Sequence, residues 1–238
     1  MKSTYSLALI ATVLILMTAC SKDDDEQVAE TPLTAETTVT DKDGNVYRTG
    51  YDQVTSTNQD AYLEKKNASG ETIWKKIYDG SPVDTRGVYV VLDGDQDPWV
   101  AFSADGGSVG ASSFNQKEIE PNAFTGVYKS GYGQGGGPRI IIAAHINRET
   151  GKIIKGSYLI ARLQSGNTNS IFTEKIGING KRMVLQVKSA FKPPAAGGPG
   201  SFVEHPDALE ENKRDGAWIL RMVFSTDFSS IEESTVLK

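Results

Sequence analysis

The feature that most constrains this chain is the texture of its apolar runs. They are short, rich in β-branched residues, and interrupted by glycine, asparagine or aspartate before helical spacing can hold for three turns. Asn45–Arg48, Val88–Leu92, Trp99–Phe102, Arg139–Ile146, Lys152–Leu163, Met183–Val187 and Trp218–Phe224 each have strand length and turn residues at their ends. Pro206–Lys213 is the one tract with the composition of a short helix. The fold expected is all-β. Composition permits a packed core, since 38% of the 238 residues are apolar. It also excludes several classes of site. One cysteine rules out an intramolecular disulfide or a cysteine-rich zinc site, and two histidines rule out a three-histidine metal centre. A net charge of −5 gives no basic surface suited to nucleic acid.

The N-terminus reads as an address. Lys2 precedes an uncharged stretch from Ser6 to Ala19, shorter than the ~20 residues of a membrane-spanning helix but suited to a secretory signal. It ends in Leu16-Met17-Thr18-Ala19-Cys20, which resembles the lipobox of bacterial lipoproteins. That resemblance implies a signal peptide over residues 1–19, acylation of Cys20, and a membrane as the first partner. Acyl chains contribute ~0.8 kcal/mol per buried CH₂, so two or three make an anchor that does not readily dissociate. Ser21-Lys22-Asp23-Asp24-Asp25-Glu26 follows directly and is similar to the export signal of Bacteroidota surface lipoproteins, which implies a position on the outside of the outer membrane. Residues 20–37 lack periodicity and are expected to form an acidic, flexible tether before a repeat domain over residues 38–238.

Internal repetition organises that domain. Asp41-Lys42-Asp43-Gly44-Asn45-Val46-Tyr47 aligns without a gap on Asp93-Gly94-Asp95-Gln96-Asp97-Pro98-Trp99. Ala61-Tyr62-Leu63 leading to Ser69-Gly70 aligns on Ser157-Tyr158-Leu159 leading to Ser165-Gly166. Weaker echoes are Pro138-Arg139-Ile140-Ile141 before Thr150-Gly151, and Gly216-Ala217-Trp218-Ile219. A period of about 50 residues suits propeller blades. The segment Asp41–Gly50, Asp60–Lys65, Ser69-Gly70 and Trp74 resembles the SBBP-type β-propeller repeats of bacterial extracellular proteins, which implies antiparallel blades and no particular activity. About three units can be counted, whereas propellers typically close with four to eight blades. The expected architecture is thus a small or partial propeller, with a β-sandwich as the alternative.

Two insertions break the rhythm, residues 103–137 and 191–215, each between one repeat strand and the next. Connections beyond ~12–15 residues usually carry function or lack order. Their aromatic residues Phe114, Phe124, Tyr128, Tyr132 and Phe202 are of the kind that recognition surfaces use, and equally of the kind that staple a loop to a core. Of these, Phe114, Tyr128, Tyr132 and Phe202 are the candidate ligand contacts.

The repeated acids offer a second candidate. Asp93, Asp95 and Asp97 alternate as oxygen ligands do in calcium loops, and Asp41, Asp43 and Asn45 repeat the spacing, with Asp52 at the twelfth position. The sixth positions are Pro98 and Val46 rather than glycine, so acid-rich hairpin turns are the stronger reading and a structural calcium ion the weaker. His145 sits in an apolar run and His205 stands before a proline. No nucleophile elbow, zincin or phosphate-loop motif occurs, so no catalytic residue is assigned. The function expected is a non-enzymatic, lipid-anchored binding or scaffolding module for a glycan or protein partner. The alternatives are an extracellular hydrolase of polysaccharide and an accessory subunit of a secretion or adhesion assembly.

Overall fold

The computed structural model describes residues 30–78, 83–105, 116–135 and 139–238. Its strands form three four-stranded antiparallel meanders and one two-stranded ribbon, none closed into a barrel. The first meander is β1 (Thr38–Thr40), β2 (Val46–Thr55), β3 (Asn58–Lys66) and β4 (Thr72–Ile77). The second is β5 (Thr85–Leu92), β6 (Pro98–Ala104), β7 (Ile140–Ile146) and β8 (Ile153–Leu159). A ribbon of β9 (Ala161–Arg162) and β10 (Thr168–Asn169) leads into the third, β11 (Phe172–Asn179), β12 (Arg182–Ser189), β13 (Trp218–Phe224) and β14 (Ile231–Val236). The protein is all-β, in an arrangement compatible with either a partial propeller or a sandwich. Pro206–Lys213 yields no more than a 3₁₀ turn at Glu210–Asn212.

The second sheet lies between the other two, and its sequence shows why. Ile140, Ile142, Ala144 and Ile146 on β7 join a core with Tyr47, Ala61 and Leu63 of the first sheet. Ile141 and Ala143 join a second core with Leu185, Leu220 and Met222 of the third. A strand buried on both faces has no reason to alternate with polar residues, so β7 reads as a continuous apolar run. The sheets approach closely where glycine permits. A Cβ on Gly87 of β5 would fall 1.8 Å from Thr49 Oγ1 and 2.8 Å from the Gly50 nitrogen of β2.

The strong repeat of Asp41–Tyr47 and Asp93–Trp99 corresponds to one structural element, the hairpin from first to second strand of its sheet. The second alignment does not. Ala61-Tyr62-Leu63 lies on β3, the third strand of its sheet, whereas Ser157-Tyr158-Leu159 lies on β8, a fourth strand. The partners of β3 by position are β7 and β13, which contain Ile140-Ile141 and Trp218-Ile219 of the weaker echoes. Third strands here carry different apolar loads, so their sequences diverge while their positions do not.

Residues 31–37, expected to belong to the flexible tether, are instead paired with strands. Thr31 donates its N–H to the Ile178 carbonyl at 2.7 Å, and Thr34 and Ile176 exchange two bonds of 2.8 Å along β11. The Glu36 carbonyl then accepts from Val90 N–H at 2.9 Å, and Thr37 accepts from Thr49 N–H at 2.9 Å. Residues 31–37 therefore touch all three meanders in succession, before β1 begins.

Both long connections join the second strand of a sheet to its third, as β6 to β7 and β12 to β13; the matching link from β2 to β3 is a tight hairpin. Each covers the outer edge of its own sheet. Residues 119–129 follow β8, with Glu120 N–H to Ile153, Tyr158 N–H to Lys129 and Gly156 N–H to Ala123 at 2.9, 2.9 and 3.1 Å. The second loop follows β14 through paired Gly197–Ile231 bonds of 2.9 Å, with Ser234 Oγ donating to the Pro194 carbonyl at 2.9 Å. Covering outer strands in this way removes exposed edges that would otherwise pair with another chain. Among the described residues no helix is long and apolar enough to cross a membrane.

Candidate functional site

Two places concentrate chemistry. The first is the end of the molecule where the first-to-second and third-to-fourth strand turns of the first two sheets gather. At Asp41, Oδ1 accepts the N–H groups of Asp43 and Asn45 at 3.0 and 2.8 Å, and Oδ2 accepts Asn45 Nδ2 at 2.8 Å. At Asp93, Oδ1 accepts the N–H groups of Asp95 and Asp97 at 2.9 and 3.0 Å. Its Oδ2 accepts Trp99 Nε1 and Lys181 Nζ, each at 3.0 Å. These are the turns that short acidic side chains build by bonding their own backbone. Gly44 takes the left-handed conformation that one turn requires, with φ 81°; Gln96 takes it in the other, with φ 67°. Gln96 uses its amide oxygen to accept Lys42 N–H at 3.0 Å, joining the two turns.

The register repeats a whole cluster. Tyr47 stands opposite Lys65, and Trp99 opposite His145. Lys65 Nζ lies 5.2 Å from the Tyr47 ring centre, while the imidazole of His145 stacks on Trp99 at 4.3 Å. Acid, aromatic ring and base thus occur twice. A triad that recurs at equivalent positions is explained by sheet-to-turn packing. Asp93, Asp97 and His145 each offer a ligand atom within 4.8 Å of the others. Calcium needs six to eight oxygens, yet the oxygens of Asp41 and Asp93 face N–H donors, and Asp52 is paired with Lys75 at 2.7 Å. Lys181 bonds Asp93 and Asp95, so an ammonium already supplies positive charge there. Burial opposes its protonation, but the bonds to Asp95 and Asp93 prevail and hold it above the ordinary lysine value. Burial pushes the His145 imidazole below its ordinary value, with the Asp97 and Asp93 charges opposing. Its Nε2 lies 3.4 Å from Asp97 and makes no hydrogen bond.

The second place is where the two long loops meet. Gly200 donates its N–H to the Tyr128 carbonyl at 2.8 Å, binding one loop to the other. Thr168 on β10 is held to the first loop, its Oγ1 donating to the Tyr132 carbonyl and its N–H to the Gln134 carbonyl, both at 2.7 Å. The aromatic candidates divide sharply. Tyr128 and Tyr132 are 1% and 2% exposed and belong to the core, so in this arrangement they staple the loop and present no ring to a ligand. Burial pushes the Tyr128 hydroxyl up to about 12. Phe124 is also buried. Phe202 is half-buried beneath the guanidinium of Arg162, 4.3 Å from ring centre to Cζ. Phe114 lies outside the described residues, as do Cys20 and the acidic run from Ser21 through Lys22, Asp23, Asp24 and Asp25 to Glu26.

The cations at this junction carry no signal in the repeat pattern. Arg162 and Lys129 are half-buried, and among the described residues neither has a carboxylate partner. Arg162 Nε is buried and makes no hydrogen bond. Burial, and then the Arg162 charge, pushes the Lys129 ammonium below its ordinary value. A shallow groove of about 240 Å³ opens beside Arg162, lined also by Gln164, Lys192, Phe202 and Glu204. No protein-family model matches the chain, and no curated protein matches it.

Proposed function

We propose that this protein is a lipid-anchored, non-enzymatic binding module on the outer face of the outer membrane, held there through Cys20. The observation that carries the binding role is the junction of the two long loops, where Gly200 bonds Tyr128 beside two half-buried cations that have no acidic partner among the described residues. Charged groups kept from water without a partner are unfavourable in the isolated fold, and a bound anion or polar ligand offsets that cost. The anchoring rests on Leu16-Met17-Thr18-Ala19-Cys20 and the acidic run that follows. The carboxylates at the turn end are engaged by backbone and lysine donors, which favours a structural role for them over general acid–base work.

Replacing Cys20 by alanine in cells that produce the full chain tests the anchor. The expected result is loss of metabolic labelling by fatty acid and release from carbonate-washed membranes. A variant that stays in the washed membrane overturns the anchoring. For the binding role, whole-cell cross-linking through residues placed at Ser130 and Val203 should capture a surface glycan or protein.

A further inference from the structure

The groove at the loop junction is lined by Arg162, Gln164, Lys192, Phe202 and Glu204. Arg162 holds its guanidinium over Phe202, and among the described residues no carboxylate pairs with it. A planar, preoriented guanidinium matches a carboxylate or sulfate in two parallel hydrogen bonds. Lys129, on the first loop, brings its Nζ to 3.5 Å and Thr168 its Oγ1 to 3.1 Å from the Cβ position of Gly133, and Thr168 is the β10 residue paired with Arg162 on β9. Two like charges brought together by the fold, each without a counter-ion among the described residues, define a local excess of positive potential in a protein whose net charge is −5. On the rim, Lys192 is held by Glu204 at 2.6 Å, and Lys213 by Glu210 at 2.9 Å.

The groove does not suit an extended peptide. Such a ligand would need free main-chain donors and acceptors along a strand edge. Here β9 is paired on both sides, through Thr168 on β10 and through mutual Arg162–Lys192 bonds of 2.9 and 3.1 Å. Its apolar floor is Phe202 and Leu163, and the cation already covers the Phe202 face. Gln164, Lys192 and Glu204 supply side-chain donors and acceptors of the kind that meet sugar hydroxyls. We propose that this groove binds polysaccharide bearing carboxylate or sulfate groups, with Arg162 holding the anion, Lys129 adding positive charge from beside the groove, and Lys192 released from Glu204 to join Arg162. The assignment rests on the reading of the protein as a binding module.

The test is retention of the detergent-solubilised full chain on sensors coated with dextran, dextran sulfate, polygalacturonate or polyglutamate at 0.15 M salt. Dextran sulfate and polygalacturonate separate sulfate from carboxylate recognition, dextran removes the charge from the same backbone, and polyglutamate places the charge on a peptide. Binding is expected to at least one anionic polysaccharide, at least about tenfold tighter than to dextran or polyglutamate, the effect of one well-placed charge-assisted bond. Arg162→Gln should weaken it about tenfold and Lys129→Gln about threefold, neither lowering the melting temperature. Glu204→Gln should strengthen it about threefold, since it frees Lys192, and a gain cannot arise from misfolding. Equal retention on polyglutamate, unchanged binding by Arg162→Gln, or weaker or unchanged binding by Glu204→Gln overturns the proposal. If no anionic polysaccharide is retained while cross-linking at Ser130 or Val203 still captures a surface partner, the anion site is refuted and the binding module stands. If neither occurs, both fall.

Discussion

The contact between the first two sheets at Gly87 gives a sharp test of how they are held together. Adding one methyl group there places a carbon 1.8 Å from Thr49 Oγ1, 2.8 Å from the Gly50 nitrogen and 3.0 Å from the Gly50 oxygen. The first clash is with a side chain that can rotate, but Thr49 is 2% exposed and donates to the Tyr62 carbonyl at 2.8 Å. Moving it breaks a buried hydrogen bond at about 1–3 kcal/mol. The second and third are with backbone, so β5 must shift from β2, an overpacking strain of about 1–3 kcal/mol. Together Gly87→Ala is expected to destabilise by about 2–6 kcal/mol, a large fraction of the ~5–15 kcal/mol that keeps a domain folded. Urea titration followed by tryptophan fluorescence measures it, because Trp74 and Trp99 belong to these two sheets. The double variant Thr49→Ala/Gly87→Ala separates the parts. It removes the oxygen but not the Gly50 contacts, so it should be less unstable than the sum of the singles by about 1–2 kcal/mol. A loss below about 0.5 kcal/mol in the single variant, the range of an ordinary surface change, would refute close approach of the two backbones.

Two further outcomes follow from the turn end. Asp93→Ala strips the acceptor from two backbone N–H groups, from Lys181 and from the buried Trp99 Nε1, so it should cost about 3–4 kcal/mol by calorimetry, whereas exposed Asp43→Ala should stay within about 0.5 kcal/mol. His145 titrates below its ordinary 6.5 in the folded chain, so the unfolded chain takes up its proton first as pH falls. Its contribution is whole above pH 6.5 and declines as pH drops toward the lower folded value; melting curves from pH 7.5 to 5 should show this slope, flattened in His145→Gln.

Much of the architecture was readable from residues whose local chemistry is self-sufficient. The Asp41 and Asp93 turns are specified by carboxylates that bond within five residues, so their alignment marked the same hairpin in two sheets. The strand Trp218–Phe224 was legible because its apolar run is bounded by Gly216 and by Ser225. By contrast β11 and β14 carry charged or polar residues at most exposed positions and are defined by their partners, β12 and β13. Residues 31–37 looked like linker because their order comes from backbone bonds to strands over 140 residues away as well as to near ones. At the loop junction the aromatic rings stood out in the sequence, yet Tyr128 and Tyr132 fill the core. The informative residues were Arg162 and Lys129, and their signal is that no described carboxylate pairs with them, a relation that exists only once the chain has folded.

The stitched segment from Thr31 to Thr37 also determines how the body would take up mechanical load if Cys20 is its attachment. A pull arriving at Thr31 would first meet its bonds to Ile178 and the paired Thr34–Ile176 bonds on β11. The same tension would then divide between Glu36–Val90 and Thr37–Thr49, sharing the force among separate sheets before any hairpin is opened.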